Sequence, residues 1–167
     1  MKIYTKKGDQ GKTSALSGEN VFKDNPLIEA SGAIDELNSI LGLALCFIEK
    51  NSIKEKIERE QTNLYILGAD ISSDIKDSNE KRLKPEDINK LETEIDIWDT
   101  KLPKLTSFIR PNGNKSSSII HYARSVCRRT ERRVITLSKS REINKLSYKY
   151  LNRLSDWLFI IARILNN

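Results

Sequence analysis

Cysteine, histidine and strand-type patterning are all scarce in this chain, and each shortage closes off a class of protein. The two cysteines, Cys46 and Cys127, lie far apart with no C-x-x-C spacing and no histidine-rich neighbourhood. That argues against a zinc site and a disulfide framework, and for two buried thiols in a reducing cytosol. His121 is the only histidine, and a lone histidine reads as structural rather than catalytic. Four prolines, seven glycines and little alternation of valine or threonine leave almost no strand signal. Long apolar runs are missing too. The longest, Ile40 to Ile48, is bounded by Ser39 and Glu49, far short of a bilayer span, and the polar first residues carry no secretory signal. These absences predict a cytoplasmic protein without a membrane segment.

What remains is helical and basic. The 167 residues are read as a single domain, 1–167, large enough to bury a core without staples. Apolar residues recur at helical spacing through most of the length, so the fold class is all-α. A first helix is predicted after Asp24 or Asn25 as cap, with Pro26 in its first turn, running to about Lys50 with Leu27, Ala30, Ile34, Leu37, Leu41, Ala44 and Ile48 inward. Further helices are predicted over 52–73, 86–98, 119–139 and 142–165, with 102–118 as a long connection. The net charge of +6 and sequence pI near 9.3 call for an anionic partner, with nucleic acid, nucleotide and acidic membrane all open.

The N-terminal run Thr5-Lys6-Lys7-Gly8-Asp9-Gln10-Gly11-Lys12-Thr13-Ser14 reads as a phosphate-gripping strap. Two glycines free the backbone to turn N–H groups toward an anion, and the lysines and hydroxyls add charge and hydrogen bonds. The run is similar to a Walker A loop but has two residues between its glycines instead of four, and no buried strand before it, so a P-loop is rejected. Polar lines also run along helices that should be apolar: Ser31, Asp35, Asn38 and Gly42 on the first, and Lys145, Lys149, Asn152 and Asp156 on the fifth. The fourth helix carries Arg124, Arg128, Arg129, Arg132 and Arg133 around Glu131. Guanidinium groups inside a bundle call for carboxylates or phosphates. Asp35 is the expected carboxylate, pairing with Arg124 between the first and fourth helices, within or across subunits.

Taken in order, Tyr4 with the strap through Thr13, Ile34-Asp35-Glu36-Leu37-Asn38-Ser39-Ile40-Leu41-Gly42, Ala123-Arg124 with Cys127-Arg128-Arg129-Thr130-Glu131-Arg132, and Tyr150-Leu151-Asn152-Arg153-Leu154-Ser155-Asp156-Trp157-Leu158-Phe159 resemble the PduO-type ATP:cob(I)alamin adenosyltransferases. The resemblance implies a five-helix bundle that forms homotrimers, with active sites at subunit interfaces, and transfers the 5′-deoxyadenosyl group of ATP to the cobalt of cob(I)alamin. It implies ATP contacts from Thr5 through Ser14, Lys23, Arg128, Arg129, Glu131, Arg132 and Asn152, with Mg²⁺ on the phosphates. It implies a corrinoid side built from Asp35, Phe108, Arg124 and Asp156, where Phe108 displaces the lower axial ligand of cobalt. Arg128, Asp35, Arg124 and Phe108 are the catalytic candidates. The segment Phe108-Ile109-Arg110-Pro111-Asn112-Gly113 departs from the family's Phe-x-x-Pro-Gly-Gly at Arg110, where an apolar residue is usual, and at Asn112. Partners implied are a cob(II)alamin reductase and an adenosylcobalamin-dependent enzyme, with neither nucleic acid nor membrane. The alternative is a non-catalytic basic helical module that binds nucleotide or nucleic acid, and a third reading is an ATP-binding bundle that senses or delivers the cofactor. The arginine turn has no interleaved aromatics for base stacking and no recognised nucleic-acid motif, which weighs against the alternative.

Overall fold

A computed structural model describes residues 4, 6–15, 18–76 and 82–166. A short antiparallel hairpin of β1 (Lys12–Ser14) and β2 (Asn20–Phe22) precedes five helices: α1 (Pro26–Leu45), α2 (Asn51–Ser72), α3 (Pro85–Asp99), α4 (Lys115–Ser138) and α5 (Leu146–Asn166). The all-α expectation holds for the body. The hairpin was not foreseen, because two three-residue strands are too short to set up a period-2 pattern.

Helix ends follow local hydrogen bonds more closely than periodicity. The Asn25 side chain accepts the Leu27 N–H at 2.9 Å and Pro26 takes the first helical position, where its missing donor costs nothing. α1 ends at Leu45, five residues before the predicted end. There the N–H groups of Cys46 and Phe47 turn tightly onto the carbonyls of Leu43 and Ala44. Ile48 nevertheless stays buried, which is why the apolar spacing ran on past the helix. α4 begins four residues earlier than predicted. Asn114 caps it by accepting the Ser117 N–H at 2.9 Å, and the Ser117 hydroxyl donates to the Ala162 carbonyl at 2.8 Å, so the serine run is a helical turn and not a connection. α5 starts at Leu146, where the Asn144 side chain accepts the Leu146 N–H at 3.0 Å.

The core is a stripe from every helix, and every inward residue predicted for α1, with Ile53, Ile57, Leu64, Leu67 and Ile71 of α2, is buried. α4 is central and runs antiparallel to both α1 and α5. Thr130 donates to the Ala33 carbonyl at 3.0 Å on one side, and the Cys127 thiol donates to the Leu151 carbonyl at 3.2 Å on the other. Burial pushes the Cys127 thiol well above its ordinary pKa. Cys46 is exposed, which corrects the expectation of two buried thiols: it sits just beyond the last turn of α1, outside the apolar stripe.

α2 and α3 are joined to α5 through buried charge. Glu94 of α3 accepts from Lys56, from both Arg59 Nη atoms at 2.8 and 3.0 Å, and from the Trp157 indole at 2.8 Å. Arg59 also donates to Glu60, whose other oxygen accepts the Tyr150 hydroxyl at 2.6 Å and the Asn63 amide at 3.1 Å. Burial alone would raise the Glu94 pKa. The donors from Arg59, Lys56 and Trp157 outweigh it and hold the carboxyl down from 4.5 to about 2. A depressed carboxyl contributes stability that is present above its unfolded pKa and is lost as pH falls through the folded one. The structure should therefore weaken between pH 4.5 and 2. Glu94→Gln should cost on the order of 3 kcal/mol at neutral pH by stranding Arg59 and Lys56, and should flatten that acid-side loss. Urea unfolding at neutral pH and in the acid range measures both effects.

Candidate active site

The strap is a tight basic coil. Residues 7–10 form a turn, Gly11 takes φ 77°, and the Lys23 N–H closes the coil onto the Gly11 carbonyl at 2.9 Å. Lys6 also adopts a left-handed φ of 60°, a conformation that costs a lysine energy and that recurs in anion-cradling backbone. The Lys23 ammonium folds over Gly8, where an added Cβ would lie 3.2 Å from it. Lys12 lies over the Phe22 ring at 4.9 Å. Lys6, Lys7, Asp9, Gln10, Lys12, Ser14 and Lys23 are exposed, and Thr13 is half-buried. Thr5 lies outside the described residues. The hairpin is held to the body by Ala15, which joins the core, and by Val21, which packs against it.

On α4 the five arginines do different things. Arg129 pairs with Glu36 and Arg133 with Glu29 at 3.4 Å, both carboxylates on α1. Within the chain, the α1 carboxylates that meet the arginine turn are therefore Glu36 and Glu29. Asp35 is exposed one residue around the helix, because α4 packs on the Ala30, Ala33 and Leu37 face. No ion pair joins Asp35 to Arg124 within the chain among the described residues, so the intramolecular form of that contact is absent. The small and polar line on α1 faces α2 at its far end, where Gln61 donates to the Asn38 carbonyl at 3.1 Å and packs against Gly42. Arg128 and Arg132 are exposed and their guanidinium groups enter none of the hydrogen bonds or ion pairs among the described residues. Asn152 donates to Glu131 at 3.1 Å, so these two candidates stand together between α5 and α4.

A hollow of about 490 Å³ opens between the 103–113 segment and the α4–α5 face, lined by Leu105, Ser107, Phe108, Ile109, Arg124, Asp156 and Phe159. It brings together three of the four residues expected on the corrinoid side and leaves Asp35 out. Phe108 is wholly exposed, although an aromatic ring in water is a liability without a partner. Arg124 lies over the Phe159 ring at 5.4 Å, and its buried Nε has no hydrogen-bond partner. Asp156 is held by Arg153 at 2.8 Å. His121 is buried edge-on to Phe159 at 6.2 Å, and burial together with the Arg124 charge lowers its pKa. It thus stands as a neutral packing residue. The sequence motif on the fifth helix ends at Phe159 but gives it no role in the site, and Leu105 carries no signal, because both read as ordinary apolar positions.

The family model for cobalamin adenosyltransferase matches residues 3–165. This chain belongs to that family. Among relatives, the corrinoid adenosyltransferase of Bacillus subtilis is 41% identical over 170 residues, spanning 99% of this chain and 87% of its own length. The human corrinoid adenosyltransferase MMAB is 41% identical over 169 residues, spanning 97% of this chain and 68% of its own. A phenylalanine-to-alanine variant of the PduO-type ATP:corrinoid adenosyltransferase from Lactobacillus reuteri, complexed with cobalamin and ATP, superposes with a TM-score of 0.93 at 32% identity, over 99% of this chain and 93% of that one. An arginine-to-lysine variant of the same enzyme, complexed with ATP, superposes at 0.91 and 33% identity, over 99% and 94%. The five-helix family bundle is thus the fold of this chain.

Among the arginines of this family member, Arg128 should be expendable for folding. Arg128→Ala is expected to leave stability within about 0.5 kcal/mol of the parent, as for a surface substitution without partners. Chemical denaturation of the two proteins measures this.

Proposed function

We propose that this chain transfers the 5′-deoxyadenosyl group of ATP to the cobalt of cob(I)alamin, giving adenosylcobalamin and tripolyphosphate. The observation that carries the reading is the likeness, over 99% of the chain, to a relative complexed with both cobalamin and ATP. In this reaction Co(I) attacks the ribose 5′ carbon, the Co–C bond forms as the C–O bond to the phosphate chain breaks, and the electron pair leaves with tripolyphosphate. Charge therefore builds on the leaving group, and fixed cations and N–H donors must meet it.

The strap supplies Lys6, Lys7, Lys12, Lys23 and the turned backbone around Gly8 and Gly11. Arg128 and Arg132 supply unpaired guanidinium groups, with Glu131 and Asn152 beside them on the nucleotide. Arg129 is already neutralised by Glu36 and is a weaker candidate than its neighbours. No hydrogen bond or ion pair connects the strap to these α4 and α5 residues among the described residues. We propose a homotrimer in which one subunit's strap completes a site on the next, and in which Asp35 of one subunit reaches Arg124 of another. Mg²⁺ would come with the phosphates of ATP, since magnesium commonly binds through phosphates with few protein ligands. It would neutralise phosphate charge.

On the other substrate, Phe108 and Phe159 give the hollow an apolar wall, with Arg124 and Asp156 at its rim. We assign Phe108 the role of excluding the lower axial ligand, so that cobalt becomes four-coordinate and easier to reduce. A cob(II)alamin reductase and an adenosylcobalamin-dependent enzyme are the partners this chemistry needs, and a cytoplasmic setting suits them. The nucleic-acid reading is disfavoured because Glu36 and Glu29 neutralise two of the five arginines in the turn.

An anaerobic assay with chemically reduced cobalamin, ATP and Mg²⁺ tests the activity, and failure to form a light-sensitive alkylcobalamin spectrum would refute it. In that assay Arg128→Ala should lose on the order of 3 kcal/mol of transition-state stabilisation, about a hundredfold in rate. Near-normal turnover would remove Arg128 from the site. Phe108→Ala should slow transfer from cob(II)alamin plus reductase far more than transfer from pre-reduced cob(I)alamin, with ATP affinity unchanged. Equal losses by both routes, with a lowered melting temperature, would make Phe108 a loop staple.

A further inference from the structure

The segment that carries Phe108 has no secondary structure from Pro103 to Asn112, yet both of its ends are fastened to one helical turn. At the near end, Arg163 of α5 reaches across with both arms. Its Nη1 donates to Asp99 at the end of α3 at 3.1 Å, and its Nη2 donates to the Pro103 carbonyl. At the far end, three residues further along α5, the Asn166 side chain accepts the Asn114 N–H at 3.2 Å, and Asn114 in turn donates to the Leu165 carbonyl. Gly113 is moulded to this contact. Its φ of 128° favours glycine, and a Cβ there would fall 2.0 Å from the Asn166 side-chain oxygen and displace this contact.

Arg163 is the unusual member. Its side chain is 7% exposed while its acidic partner Asp99 is 62% exposed. Burying a guanidinium is costly unless its donors are satisfied. A surface carboxylate alone would not require that burial, and the carbonyl at the loop's root gives it a second fixed acceptor. The same guanidinium lies 5.9 Å from the Phe159 ring, which Arg124 also approaches. Arg163 therefore touches both the root of the loop and the ring that forms the wall of the hollow.

We infer that Arg163 is a positioning residue for the corrinoid step: its two-armed grip on Asp99 and the Pro103 carbonyl, with Asn166 at the other end, sets where Phe108 stands over the hollow. This rests on the reading of Phe108 given above. In this role Arg163 acts through the loop and not on the substrate. It limits how far the loop can swing, and a small displacement of a group that must press on one face of a cofactor is enough to lose a large part of its effect.

The test uses the full chain with Arg163→Gln, which removes the charge and the fork, and Arg163→Lys, which keeps the charge and one donor and guards against a folding failure in the first. Loop position is read without substrates, by limited trypsin digestion and mass spectrometry of cleavage after Lys104. Cleavage should be several-fold faster in both variants, with sites in the helices unchanged. Function is read as the ratio of transfer from cob(II)alamin plus reductase to transfer from chemically reduced cob(I)alamin. That ratio should fall roughly tenfold in Arg163→Gln and less in Arg163→Lys, with ATP affinity within about twofold of the parent. The electron paramagnetic resonance signal of four-coordinate Co(II) in the ATP complex should shrink in parallel. Unchanged cleavage after Lys104 would overturn the inference, as would equal slowing of both routes. Phe108→Ala run alongside separates the two ideas. A split in Phe108→Ala but not in Arg163→Gln overturns the positioning role alone, and no split in either overturns the Phe108 reading and the positioning role with it.

Discussion

Glu94 and Arg59 form the contact on which the arrangement of this bundle depends. α4 is packed on α1 and α5 by apolar stripes, and α2 leans on α1. α3 has a narrower apolar edge, with Leu91 its only fully buried hydrophobic residue. Ile88, Ile95 and Trp98 pack partly buried against the core, and one carboxylate that gathers donors from Lys56, Arg59 and Trp157 ties α3 to both α2 and α5. Such a cluster is worth little as net energy once desolvation is counted, but it is intolerant of error, because each group left unpaired is costly. It specifies one seating of α3 where an apolar edge would allow several.

That seating matters for chemistry because α3 leads directly into the segment that bears Phe108. Asp99, the last residue of α3, is gripped by Arg163, and Trp157, which holds Glu94, lies on the same helix as Asp156 and Phe159. A chain of contacts therefore runs from a buried ion cluster through α5 to the mouth of the hollow. A second polar knot does similar work at the turn between α4 and α5: Asp70 is buried and accepts from Arg82, the Leu83 N–H and the Asn144 amide. Asn144 is also the residue that starts α5, so the helix carrying much of the candidate site is set at its first turn by one carboxylate.

Much of the body was legible in the sequence, for a physical reason. A helix that buries one face must repeat its apolar residues at 3.6-residue spacing, and Leu27 to Ala44 and Tyr150 to Ile161 do so without interruption. Ends were less legible because they depend on single side chains: Asn114 and Asn144 cap where periodicity gives no signal, and Ile48 keeps the α1 pattern after its hydrogen bonds have stopped. Rotation between helices was not legible at all. Asp35 and Glu36 differ by one position, and only the packing of Ala33 against Thr130 decides that Glu36 meets Arg129. The convergence of Phe108, Arg124 and Asp156 came from family resemblance alone, since they lie on three different segments. Arg163 escaped notice because a basic residue in the last turn of a helix has an ordinary explanation in the helix dipole.

The construction of α5 limits which substitutions it can tolerate. One side of this helix fills the core with Tyr150, Leu154, Trp157, Leu158 and Ile161. Its flank offers Asn152, Asp156 and Phe159 toward the candidate site, and its last turn secures a loop through Arg163 and Asn166. Few positions remain whose side chain meets only water, Lys149 being one. An ordinary amphipathic helix has a freely variable face. α5 has been left almost none, so a saturation library along it should show near-continuous constraint where α2, with Glu55, Glu58, Thr62 and Tyr65 all exposed, should show a helical rhythm of permissive sites.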